Sequence, residues 1–197
     1  NRVHPSNSLD VTRLMDIIRD TAKRGGTTVI PSFAVGRTQE LIYELNRVYD
    51  SDSEYRKDFE NLMVYVDSPM ATTATEVFKR NAQVFDDETK AYITKGDNPL
   101  DFKNLKFTCD AGRIRHHLKH NLWNRKSSII FVGYQAEGTL GRLLLDGAKE
   151  VTLFGENVQV NAQIHNLEGF SGHADKDGLF TWLSGFQKVP KHVFLVH

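Results

Sequence analysis

Cysteine is almost missing from this chain. Of 197 residues only Cys109 carries a thiol, so no internal disulfide can form, and a reducing, intracellular and cytoplasmic setting is expected. Net charge is missing as well. Lys and Arg number 25 and Asp and Glu number 25, so no global field steers a polyanion toward the protein, and any nucleic-acid contact must come from a local patch. No apolar run approaches the ~18 residues of a membrane span and no secretory signal opens the chain, so no membrane partner is expected. Repeats and low-complexity tracts do not occur. Neither GxxxxGK[ST] nor GxGxxG is present, which removes the P-loop and Rossmann nucleotide binders. A starting Met is lacking and His197 closes an apolar run, so both ends are expected to be cut from something longer.

What is there is a hydrophobic fraction of 40%, enough for one sizeable core or one domain with an appended piece. Residues 9–24 have the spacing of an amphipathic helix, with Val11, Leu14, Ile17 and Ile18 on one face, Ser8 or Asp10 as N-cap and Gly25-Gly26 as its end. A short β-rich run follows at 27–31, a helix at 38–49, a polar connection at 50–58, a strand at 62–66 and a helix at about 70–81. A polar, less periodic stretch reaches Asn104. A basic helix is predicted at 113–122, then a strand at 128–132, a helix at 140–147, strands at 150–154 and 158–164, a helix at 175–186 and a last strand at 192–196. Strands alternating with helices predict an α/β fold with a mostly parallel sheet flanked by helices. Such sheets bind ligands at the carboxyl ends of their strands, where three loops fall: 31–37 (PSFAVGR), 67–71 (DSPMA) and 133–139 (GYQAEGT).

These loops carry a resemblance. Pro31-Ser32-Phe33-Ala34-Val35-Gly36-Arg37-Thr38-Gln39-Glu40, Asp67-Ser68-Pro69-Met70-Ala71, Gly112-Arg113-Ile114-Arg115-His116-His117-Leu118, the run from Phe131 to Arg142, Phe170-Ser171-Gly172-His173-Ala174-Asp175 and Phe194-Leu195-Val196-His197 resemble, in order and nearly end to end, the β-CASP family of metallo-β-lactamase-fold nucleases. One such motif alone is weak, because Gly-rich loops are common; the ordered series is specific. The family includes RNase J and the pre-mRNA 3′-end endonuclease. The resemblance implies a β-CASP domain over about 1–168 and, over 169–197, a strand and helix returning to the metallo-β-lactamase fold. It also implies a hydrolase of RNA phosphodiesters with two zinc ions, held by an HxHxDH motif, a further His and a bridging Asp. His173 then sits beside the metals as proton donor or phosphate contact, and His197 is a zinc ligand. His at that last position belongs to the RNA-acting members, where the DNA-processing branch usually has Val.

Three departures qualify it. No HxHxDH occurs among the eight histidines, and the acidic residue expected just before Asn1 is outside the chain. Asn1-Arg2-Val3-His4 is similar to the tail of that acidic motif, so most zinc ligands are expected upstream. No zinc is expected to bind firmly to this chain alone. Family members also carry a strand and a SASGM-like loop ahead of the GRIRHH segment, whereas here Lys106-Phe107-Thr108 runs straight into Cys109-Asp110-Ala111-Gly112. Missing residues are suspected at the Thr108–Cys109 junction.

Metal-assisted phosphodiester hydrolysis needs an acid for the leaving oxygen, and a histidine near neutral pKa suits it. By the resemblance that is His173, with Asp175 accepting from its other ring nitrogen; as a bare sequence feature, without the resemblance, His173 reads first as a helix cap. Arg113, Arg115, His116, His117, Lys119 and His120 form the RNA-backbone candidate, or a solvated polar face over Ile114, Leu118 and Leu122. Ser32 and Arg37 lie at a strand-to-helix turn, where Arg37 either holds a phosphate or the domain junction, or pairs with Glu40 or Glu44. Tyr134 and Gln135 are suited to stack on or hydrogen-bond a base of single-stranded RNA, or Tyr134 packs between sheet and helix. Gly133, Gly138 and Gly141 serve turn geometry and close packing, Cys109 reads as inert packing, Trp123 and Trp182 as core or boundary residues, and His4, His165 and His192 as ordinary histidines. The reading is the RNA-binding portion of a zinc-dependent ribonuclease, inactive by itself. Its rivals are a catalytically dead scaffold subunit and a DNA-acting nuclease of the same family. A homo-oligomer is compatible with either.

Overall fold

The computed structural model describes residues 7–51, 53–85, 87–94, 98–108, 114–170, 176–188 and 190–194. At its centre is β4 (Ser128–Phe131), buried along its whole length and paired in parallel with β1 (Thr28–Val29) on one side and β7 (Gln163–Asn166) on the other. A strand covered on both faces is a continuous apolar run rather than an alternating one, and SIIF followed by Val132 is such a run. Its side chains nevertheless divide by the two-residue period. Ile130 and Val132 enter one core, with Leu14, Met15 and Ile18 of α1 (Asn7–Lys23) and Leu41, Ile42 and Leu45 of α2 (Arg37–Asp50). Ile129 and Phe131 enter the other, with Leu118 of α6 (Ile114–Asn121) and Leu144 of α7 (Leu140–Leu145). Helices therefore cover both faces of this sheet, as the alternation of elements predicted.

Local chemistry sets the joints. Helix α1 ends where Gly25 takes φ 67°, Gly25 N–H donating to Ala22 O and Gly26 N–H to Thr21 O, a Schellman closure. Gly26 cannot carry a side chain, because a Cβ there meets Lys126 O at 1.8 Å. This close approach brings the chain entering β1 against the chain entering β4. Asp10, expected as a cap, instead lies buried inside α1 and accepts from Gly169 N–H.

The expected single layer is two parallel ladders and a hairpin. The second ladder pairs β2 (Val64–Asp67) with β3 (Leu105–Thr108). Between them run α4 (Pro69–Arg80), started by Ser68 as N-cap and Pro69 in its first turn, a 3-10 turn at Ala82–Val84 and α5 (Asp87–Thr94). The strand β3 was hidden in the polar stretch to Asn104 and the run after it. The predicted polar connection at 50–58 contains α3 (Tyr55–Phe59), whose Phe59 is 1% exposed and packs on Tyr49 and Phe102. The predicted strand 158–164 is two strands. β5 (Glu150–Leu153) and β6 (Glu156–Gln159) form the antiparallel hairpin, and β7 belongs to the central sheet. Alternating V-Q-V-N-A-Q-I concealed the break, which occurs because Asn161 and Ala162 both turn their N–H groups to Leu122 O.

After Phe170, which is fully buried, α8 (Lys176–Ser184) has no buried residue. Residues 192–194 form no strand, and 195–197, the rest of that predicted strand, lie outside the described residues. Trp123 and Trp182 both expose more than half their surface, so neither is a core residue. No described helix is long and apolar enough to cross a membrane.

Candidate nucleic-acid interface

Where β1 and β4 end, an open cleft of about 430 Å³ lies between their carboxyl termini and the start of two helices. Phe131 and Leu118 form its apolar floor. Pro31 closes one side, Ile114 and Arg115 of α6 another, and Gln135, Thr139, Leu140 and Gly141 the third. This is the position parallel sheets reserve for ligands. Two predicted RNA contacts, Arg115 and Gln135, meet there although they come from separate segments. Gln135 can lie flat on the first turn of α7 only because residue 141 is glycine, where a Cβ would stand 2.0 Å from Gln135 Oε1. Gly138, at φ 77°, supplies the left-handed turn of the same loop. Tyr134 is 74% exposed, so it does not pack between sheet and helix, and Phe33, on the loop after β1, is 81% exposed.

Arg37, Ser32, His116, His117 and Lys119 have partners inside the molecule. Arg37 pairs with Glu40 within α2, as one of its two readings had it, and Ser32 Oγ lies 2.9 Å from Thr38 Oγ1. On α6, His117 Nε2 donates to Asp67 Oδ2 at 2.6 Å, and Thr108 Oγ1 donates to Asp67 Oδ1 at 2.9 Å. One carboxylate at the end of β2 thus ties the second ladder to the basic helix. Lys119 Nζ donates to Glu156 Oε1 at 2.7 Å. His116 stacks on Phe154 with ring centroids 4.3 Å apart, and the Arg115 guanidinium lies 5.3 Å from the same ring. His120 is exposed. The helix is therefore a cationic face largely organised by neighbours, with Arg115 as the member that also lines the cleft.

Two residues matter here that the sequence did not single out. Gln39, 3% exposed, accepts from Gly36 N–H at 2.7 Å and donates to Ala34 O at 3.1 Å and Thr75 Oγ1 at 2.9 Å. It locks the loop after β1 to α4, and so to the loop after β2. Its place three residues after a glycine at a helix start was the signal available. Phe154, in a hairpin turn, gave no signal beyond its neighbour Gly155.

Arg113, His173, Asp175, His197 and the suspect Thr108–Cys109 junction lie outside the described residues. Among those described, no three His, Cys, Asp or Glu side chains gather as a metal ion requires.

The fold and this cleft define an α/β domain with an open cleft at the carboxyl ends of a parallel sheet. Residues 38–110 and 107–144 match the Beta-Casp domain family, and residues 157–197 match a family described as a Zn-dependent metallo-hydrolase RNA specificity domain. The chain belongs to the β-CASP family. It is similar to Ribonuclease TTHA0252 of Thermus thermophilus, 32% identical over 213 residues covering 96% of this chain and 48% of that protein. It is also similar to transcription termination factor FttA of Methanococcus maripaludis, 32% identical over 225 residues covering 99% of this chain and 34% of that protein. Cleavage and polyadenylation specificity factor subunit 3-I of Arabidopsis thaliana is 28% identical over 217 residues, covering all of this chain and 30% of that protein. The chain spans about half, or a third, of the length of these relatives.

Proposed function

We propose that this chain is the RNA-binding portion of a zinc-dependent ribonuclease that hydrolyses phosphodiester bonds in single-stranded RNA. In this reading 1–168 is the β-CASP domain and 169–197 returns the chain to a metallo-β-lactamase fold. The observation that carries the reading is the meeting of Arg115 and Gln135 at one cleft on a parallel sheet, in a chain whose relatives include a ribonuclease and a cleavage factor. A guanidinium suits a phosphate oxygen, the Gln135 carboxamide suits the edge of a base, and exposed Tyr134 and Phe33 offer faces for stacking. In the intact protein His173 would supply the proton to the leaving oxygen, Asp175 would hold its ring, and His197 would be one ligand of a two-zinc site. The described residues do not themselves fit a zinc site.

The test is binding of a labelled single-stranded oligoribonucleotide across a salt series. Arg115→Ala is expected to weaken binding roughly tenfold and to lower the salt slope by about 1, with Arg113→Ala acting in the same direction. Binding unchanged at every salt concentration would defeat the cleft as the RNA site. Equal binding of the DNA oligonucleotide of the same sequence would favour a DNA-acting enzyme. The chain alone is expected to hold no stoichiometric zinc after dialysis, since a tight site needs three or four ligands; metal analysis finding a full equivalent would overturn that.

A further inference from the structure

The β5–β6 hairpin reverses through Phe154 and Gly155, at φ 54° and 79°. Two successive left-handed residues are what a two-residue turn of this kind requires, and Asn, Asp or Gly normally stands first. Phe154 is the only non-glycine with positive φ among the described residues, and a side chain there meets a steric penalty that glycine avoids. Its ring is spent on α6. It stacks on His116 at 4.3 Å and 30° and lies 5.3 Å beneath the Arg115 guanidinium, while Glu156, on the same hairpin, holds Lys119. Phe154 does not line the cleft, whereas Arg115 does.

We propose that Phe154 is a positioning residue for RNA. Its ring holds the Arg115 guanidinium at the mouth of the cleft, so that less side-chain freedom is lost when a phosphate binds. This rests on the cleft being the RNA site. It accounts for an aromatic residue held in a backbone conformation that disfavours it, and for one hairpin engaging Arg115, His116 and Lys119 of one helix.

The proposal separates function from stability, because Phe154→Gly removes the ring and the steric penalty together. In the 197-residue chain the thermal midpoint is expected to stay or rise. Affinity for a labelled oligouridylate is expected to fall about two- to fivefold, and Phe154→Tyr to restore it. On an Arg115→Ala background Phe154→Gly is expected to add no further loss, the non-additivity of two residues acting as a unit. Parent-like binding by Phe154→Gly, with Arg115→Ala impaired, overturns the proposal and leaves the cleft standing. Parent-like binding by both overturns the cleft and the proposal with it. If Phe154→Gly lowers the thermal midpoint, Phe154→Leu keeps the bulk without the ring, and parent-like binding by that variant overturns the proposal equally.

Discussion

Phe170 and Phe180 stand ten positions apart in sequence and are opposites in place. Phe170 is fully buried beside Leu167 and the apolar face of α1, while Phe180, on the next helix, is 61% exposed. The difference extends to the regions around them. Up to Phe170 the chain closes two apolar clusters, one on each face of the central sheet. Helix α8 carries Leu179, Phe180, Trp182 and Leu183, yet buries none of them, and its aromatic contacts stay local, Trp182 meeting Phe186 edge-on at 4.9 Å. An apolar surface of this kind is a feature of interaction faces. The contrast supports the proposed assignment of 169–197 to a different fold from the one that precedes it. Gly169 still belongs to the packed body, where Asp10 holds its backbone N–H and a Cβ would stand 2.6 Å from that carboxylate.

Mutations can break this comparison directly. Ile130→Ala empties a site with no solvent exposure between α1, α2 and the sheet. It is expected to cost about 3 kcal/mol in urea unfolding of this chain. Trp182→Ala removes a larger side chain that is 64% exposed and is expected to change stability by no more than about 0.5 kcal/mol. Comparable losses from the two would mean that α8 is packed into the same cooperative unit.

A smaller effect sharpens what belongs to the body. Gln39→Leu keeps the bulk but strips the exposed Gly36 N–H and the buried Thr75 Oγ1 of their carboxamide partner. The expected loss is about 2 kcal/mol, less than for Ile130→Ala, again read from the urea midpoint. A neutral result would show that the loops after β1 and β2 are ordered without this bridge.

How much of this the sequence disclosed depended on the range of the forces. Helix α1 and its glycine stop, α2 and α4 with its Ser68-Pro69 start were legible because they rest on local periodicity and capping. The parallel α/β class followed from the same pattern. Strand β3 was not legible, because Leu105–Thr108 acquires its identity from pairing with β2, some 40 residues earlier in the register. The β6–β7 break was hidden because alternation continues through it. At the site, the loop positions and Arg115 with Gln135 could be named, but not that Asp67 would take His117, or Glu156 Lys119. Those pairs join segments that no local spacing relates. The Beta-Casp match falls into two stretches meeting at 107–110, and alignments of 213 to 225 positions exceed the 197 residues of the chain. The position of the break in the match supports the suspicion that residues are missing at Thr108–Cys109.

The smallest expected effect concerns pH, and it again separates the two regions. His165 lies on β7 opposite Ile130, with its Nε2 buried and unpartnered among the described residues. Burial first, then the charges of Arg13 and Arg24 on or just after α1, push its imidazole below the ordinary value of 6.5. A folded state that prefers the neutral ring gives stability that is complete above the unfolded pKa. That stability drains as the pH falls from about 6.5 through the lower folded value, because the unfolded chain takes up the proton first. Urea midpoints of the parent should therefore fall across this acid window. His165→Gln should fall less steeply, because its side chain does not titrate, while Trp182→Ala should keep the parental slope. Identical slopes for the parent and His165→Gln would show that the acid sensitivity of the body arises at other groups.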